Sequence, residues 1–145
     1  MMKILTAFFF LIFLGKGCDG VTAQDMKTAV IEYTASSRGF YQKITVNNQT
    51  VTISKDRNDD NKSILLKINA SDWNELVSYF KEVQLDQMVK LKAPTEKRFY
   101  GGAAIANLKI TFDEKDYETP NFDHGFPPKE IKQLVDKVNS LIKKE

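Results

Sequence analysis

His124 is the only histidine in the 145-residue chain and Cys18 the only cysteine. Cys18 lies in an N-terminal stretch that reads as a leader, so a Cys–His nucleophile pair is excluded. A Ser–His–Asp arrangement needs its serine on a strained strand-to-helix elbow, and no G-x-S-x-G occurs. His124, next to Asp123 just before a proline-led helix, therefore reads as an ordinary loop histidine. One histidine among scattered acids is also a poor ligand set for zinc.

Calcium has one place to go, Asp56-Arg57-Asn58-Asp59-Asp60-Asn61. Asp56, Asn58 and Asp60 match the first, third and fifth positions of a calcium loop. Asn61 stands where the sharp turn needs glycine, and Lys67 where a bidentate glutamate closes the site. A solvated hairpin loop is the expectation, with no metal and no cofactor.

Asp113, Glu114, Asp116, Glu118 and Asp123 form an acidic cluster. Two carboxylates held across a cleft hydrolyse glycosidic bonds, which makes a carboxylate-dependent hydrolase of envelope polymers the alternative activity. Several of these acids share one hairpin turn, where charge keeps an exposed sheet edge soluble. The expectation is therefore a protein that is not an enzyme.

A different pattern occurs twice, as Arg38-Gly39-Phe40-Tyr41 and Arg98-Phe99-Tyr100-Gly101. Arginine and aromatic side chains bury large areas at small entropic cost and are enriched at the centres of interfaces. Phe40 is expected in the core. Arg38, Tyr41, Arg98 and Tyr100 are the candidate binding residues.

The elements that must carry these residues follow from periodicity. Met1-Met2-Lys3 precedes an eleven-residue apolar run, 4–14, in which Thr6 is the single polar residue, then Gly15-Lys16-Gly17. That run is too short to span a bilayer and has the length of a signal-peptide core. Small residues at Val21-Thr22-Ala23 place the cut after Ala23, making 1–23 a signal peptide and 24–145 one domain. The alternative is a lipoprotein signal, 1–17, with Cys18 lipidated; Gly15 and Lys16 fit that box poorly. The expected location is periplasmic or extracellular, or membrane-anchored in the alternative. No transmembrane helix is expected in the mature chain. Without Lys3, Lys16 and Asp19 the net charge is +1, which is no footprint for nucleic acid.

Residues 29–54 alternate apolar and polar as three strands, 29–34, 40–46 and 50–54. The turns are 36–39, with Gly39 at positive φ, and Asn47-Asn48. A fourth strand is expected over 63–68. The period then changes to that of a helix, with Asn69 or Ser71 as N-cap and Trp73, Leu76, Val77, Phe80 and Val83 on one face. Residues 84–102 carry no clear period, and Pro94 and Gly101-Gly102 prevent a long helix. Residues 103–112 read as the longest strand, with Ala104 and Ala106 allowing a helix to approach closely. A turn at 113–116 and an edge strand over 117–122 follow. Pro127-Pro128 then starts a helix striped by Ile131, Leu134, Val135, Val138, Leu141 and Ile142. The order β-β-β-β-α-β-β-α argues for an α+β fold, an antiparallel sheet of about six strands with two helices on one face.

Three Asn-x-Ser/Thr acceptors, at Asn48, Asn61 and Asn69, matter only in a glycosylating host. In style the chain resembles small exported proteins of Bacteroidetes-type bacteria. Its layout resembles emfourin-type metalloprotease inhibitors: a first hairpin with Gly39-Phe40 after the turn, a mid-chain helix, a late hairpin, and a closing helix led by Pro127-Pro128. Arg38-Gly39 stands where that family would have a Gly-Gly pair, and the middle loop is longer. The resemblance implies an inhibitor-like protein whose partner is another exported or envelope protein, and no inhibitory residue is carried over. A small-molecule or lipid carrier is the remaining alternative. It requires an apolar cavity between sheet and helices.

Overall fold

The structure, a computed structural model, describes residues 26–58 and 60–142. The leader, the two cut sites, Cys18 and Asp59 lie outside the described residues. Nine elements follow in order: β1 (Val30–Ser37), β2 (Phe40–Asn47), β3 (Thr50–Ser54), β4 (Ile64–Lys67), α1 (Ala70–Lys81), β5 (Ile105–Phe112), β6 (Lys115–Glu118), β7 (Phe122–Asp123) and α2 (Lys132–Ser140). The class is α+β with an antiparallel sheet. No helix among the described residues is long and apolar enough to cross a membrane.

The strands lie in the order β4-β3-β2-β1-β5-β6, and β7 also pairs with β5. Period-2 alternation puts one set of side chains against the helices. Register aligns that set into rows. Leu108, Tyr33, Ile44 and Ile53 form one row, and Ile110, Ile31, Val46 and Val51 the next. All eight are buried. The third row is Phe122, Ala106, Ala35 and Gln42. It ends in a polar side chain where the first two carry branched apolar ones.

The turns follow local chemistry. Gly39 has φ 95°, which a Cβ would strain, so the Arg38-Gly39 turn closes in two residues with Ser37 paired to Phe40. The second turn is Asn48-Gln49, one residue later than expected, because Asn47 still pairs with Thr50. Asp113-Glu114 is the third tight turn. Both residues of the last two turns have positive φ, as two-residue hairpins require.

Asn69 caps α1 by accepting the Asp72 N–H at 2.8 Å, and its amide donates to the Asp72 carboxylate at 3.0 Å. Trp73, Leu76, Val77 and Phe80 face the core. In α2, Leu134, Val135 and Val138 do the same. Pro127-Pro128 precede a short 3-10 turn, Lys129–Ile131, so the proline pair lies outside the α-helix itself. Lys137 of α2 donates to Asp72 at 2.8 Å and also to Glu75, tying the two helices together. Those hydrogen bonds hold the Lys137 ammonium above its ordinary pKa although burial opposes them.

Three expectations are corrected. Phe40 is 37% exposed, because it opens β2 beyond the reach of the helices. Ile64 is exposed as well, since β4 is a four-residue edge strand. Ala104 lies before β5, where its carbonyl accepts the His124 N–H at 2.9 Å, and only Ala106 sits under the helix layer.

Lys137→Met should leave the Asp72 carboxylate nearly buried without its cation and cost about 3 kcal/mol in urea unfolding. Asn69→Ala should cost about 1 kcal/mol, the usual loss for an N-cap.

Candidate functional site

The end of the sheet at the β1–β2 turn gathers most of the residues singled out by the sequence. Its organising group is Asp123, which is fully buried. Its carboxylate accepts the Thr95 hydroxyl at 2.5 Å, the Lys97 N–H at 2.6 Å, the Arg98 N–H at 3.0 Å and the Arg98 guanidinium at 3.1 Å. Burial alone would push the carboxyl up. The hydrogen bonds outweigh it and bring the pKa from an ordinary 3.8 to about 2.

This network orders residues 95–100, part of the stretch without a period. The segment contains two 3-10 turns, Leu85–Lys90 and Lys97–Tyr100, with Met88 buried beneath the first. Arg98 points inward to Asp123 with its side chain only 12% exposed. It is a structural clamp, and the surface role expected of it falls to its neighbours. Phe99 and Tyr100 project into solvent, 71% and 76% exposed. The Arg98 guanidinium lies 4.4 Å from the Phe99 ring centre, and the Lys97 ammonium 4.0 Å from that of half-exposed Phe126.

Arg38 is exposed at the turn and makes no ion pair or hydrogen bond with any described residue. A groove of about 320 Å³ separates it from Arg98 and is floored by Gly101 and Gly102. Tyr41 lines a neighbouring groove of about 430 Å³ with Lys55 and Arg57. Arg57 was not marked by any local signal in the sequence. Its guanidinium lies 5.5 Å from the Tyr41 ring centre and donates to the Ser37 and Phe40 carbonyls at 3.1 and 3.3 Å, bracing the turn. Arg38, Tyr41, Arg98 and Tyr100 are thus brought to one end of the sheet, three as surface and one as support.

The acidic cluster is dispersed. Asp113 and Glu114 occupy the exposed hairpin turn, Asp116 accepts from Thr111 at 2.8 Å, Glu118 accepts from Asn107, and Asp123 is enclosed. No two of them face each other across a cleft. In the 55–62 loop, Asp56 accepts the Asn58 N–H at 2.9 Å and approaches Lys62 at 3.6 Å. Among the described residues no three acids, histidines or cysteines are grouped to hold a metal.

His124 lies between the rings of Phe40 and Tyr33, at centroid distances of 5.7 and 5.8 Å. Its Nδ1 is 2.7 Å from the Tyr33 hydroxyl. Burial pushes the Tyr33 phenol well up, with Asp136 adding to it, so it stays protonated at neutral pH. The two residues border a cavity of about 390 Å³ between α2 and the sheet, also lined by Gln42, Asp136 and Asn139. Its lining is mixed, polar at Gln42, Asp136 and Asn139 and apolar at Pro127, Val135 and Ile142. Gln42 was passed over in the sequence, although a glutamine in the inward phase of an alternating strand is a visible break in pattern.

Asp123→Asn keeps the shape, loses the charge, and leaves Arg98 buried without a counter-ion. It should cost about 3–5 kcal/mol in urea unfolding. Because the folded pKa is depressed, Asp123 contributes stability above pH 3.8 that is lost as pH falls towards about 2. Across that window the unfolding free energy of the variant should vary less with pH than that of the parent. Compared with protein-family models, with curated proteins and with solved structures, the chain matches none of them.

Proposed function

We propose that this chain is a small exported domain that acts by binding another exported or envelope protein, with no chemistry of its own. The observation that carries this reading is the cationic, aromatic surface at the β1–β2 end. Phe40, Phe99, Tyr100 and Phe126 are exposed there beside Arg38. Apolar rings standing in water cost solvation that contact with a partner recovers, and flanking cations favour a partner with an acidic surface. The rings are held by a rigid support, since the Asp123 network fixes the backbone from which Phe99 and Tyr100 project. Pre-ordering of this kind reduces the entropy lost on association.

The layout shared with emfourin-type inhibitors gives the reading its most specific form, inhibition of an exported metalloprotease. Export itself rests on the apolar run 4–14 and the small residues before Gln24.

Arg38→Ala combined with Tyr100→Ala tests the surface. Both side chains are exposed, so the melting temperature should stay within about 2 °C of the parent. Affinity for a captured exported partner, or inhibition of a secreted metalloprotease, should fall at least about tenfold, and binding should weaken with salt. Equal binding by parent and variant would sink the assignment of this face. Intact mass of the protein from its native host should match a chain beginning at Gln24. A lipid mass on Cys18 would instead tether the same surface to a membrane.

A further inference from the structure

The cavity between α2 and the sheet adjoins the protein-binding face, since His124 in its lining packs on Phe40, but it is built differently. Gln42 is 8% exposed, and its side-chain amide has no hydrogen-bond partner among the described residues. No buried side-chain nitrogen or oxygen among those residues lacks a partner, so the amide is reached from outside, through the cavity that it lines. An amide so placed, unused within the protein, is open to hydrogen bonding by whatever enters the cavity, water or ligand. Asn139 lines the opposite wall. Its nitrogen donates to the Val135 carbonyl at 2.9 Å.

We infer that this cavity is a binding site for one neutral sugar ring, free or at the end of a glycan. Size and polarity both select that class. A volume of about 390 Å³ is at the small end of the ~300–1,000 Å³ range of ligand pockets, too small for a folded peptide segment. The Gln42 amide offers a donor and an acceptor side by side, and the remaining oxygen capacity of Asn139 and Asp136, whose other atoms bond Val135, Tyr33 and Lys132, supplies acceptors for adjacent hydroxyls. Val135, Pro127 and Ile142 supply apolar walls for the C–H face of a ring. Asp136 is the one carboxylate in the lining, paired with Lys132, and it disfavours anions.

The cavity is a product of the fold. It opens where the third row of the sheet ends in Gln42 instead of a branched apolar residue. The loop carrying His124 and Gly125 closes one side, and that loop follows directly from the Asp123 clamp.

The test is an NMR titration of the ¹⁵N-labelled mature chain with glucose, N-acetylglucosamine, and a trisaccharide of each. Saturable shifts of the Gln42 and Asn139 side-chain amides are expected with at least one sugar. Saturation by the monosaccharide alone identifies a free sugar, and saturation by the trisaccharide a chain end. Gln42→Leu should weaken binding at least about tenfold and leave the melting temperature equal or higher, since it removes a partnerless polar group. Gln42→Glu, which retains the acceptors, should bind more tightly than Gln42→Leu. The inference is overturned if no sugar gives saturable shifts up to about 50 mM, a concentration at which millimolar affinity is saturated. It is equally overturned if glycine or phosphate shifts these amides and sugars do not, or if Gln42→Leu binds as the parent does. Arg38→Ala with Tyr100→Ala should bind sugar normally, so failure here and failure of the protein-binding face are distinguishable.

Discussion

Everything at the functional end of this molecule depends on one buried carboxylate. Asp123 sits at full burial, and a bare carboxylate there would cost several kcal/mol of desolvation. Four hydrogen bonds from residues 95–98 reverse that sign. Hydrogen bonds to a charged group contribute roughly 1.5–3 kcal/mol each, so together they exceed the penalty. The effect is a tether between two parts of the chain more than twenty residues apart. It makes an irregular segment, with little regular backbone hydrogen bonding of its own, behave as a fixed platform. The same residue pairs with Ile105 on β5, so the tether is anchored in the sheet.

Two surfaces follow from that anchor. Ahead of it, Phe99 and Tyr100 are displayed because Arg98, between them and the clamp, is turned inward. Behind it, His124 is placed between Tyr33 and Phe40 and forms a wall of the cavity. The helices complete the arrangement from the other side. Lys137 fixes α2 against α1, and α2 brings Asp136 and Asn139 over Gln42. Moving α2 by even part of a turn would close or empty that space, so the buried ion pair between the helices acts on the cavity as much as on stability.

Much of this frame was legible in the sequence because it is specified locally. Alternation at Ile31, Tyr33, Ile44, Val46, Val51 and Ile53 located three strands and their buried face. Asn69 and the Trp73–Phe80 spacing located the first helix and its cap. Turn positions slipped by a residue where two Asn residues compete and only pairing decides between them. The 84–102 segment was not legible, and its structure explains why. The conformation of its second half, 95–100, is imposed by Asp123 from elsewhere in the chain, and no short window carries that information. Arg98 was misjudged for the same reason, since an Arg-Phe-Tyr string looks the same whether the guanidinium faces water or a carboxylate. Gln42 was legible in principle, as the polar residue at an apolar beat of the second strand.

The departures from local rules are not spread evenly over the fold. At the far end of the sheet, the Asn48-Gln49 and Asp113-Glu114 turns hold non-glycine residues at positive φ, which Asn and Asp adopt readily and Gln and Glu less so, and carry exposed polar side chains. At the Arg38-Gly39 end lie the glutamine in an apolar row, the arginine drawn inside and the enclosed carboxylate. Among the described residues, five of the eight exposed large apolar side chains, Phe40, Phe99, Tyr100, Ile105 and Phe126, are there as well. Stability alone does not call for the glutamine in an apolar row or for the exposed rings, whereas the Asp123–Arg98 network is stabilising and holds the backbone that displays two of those rings. Conflicts between local preference and global structure persist where they serve binding or catalysis. The exposed rings gathered at that end are the physical reason for proposing the binding surface there, with the rest of the sheet as its scaffold.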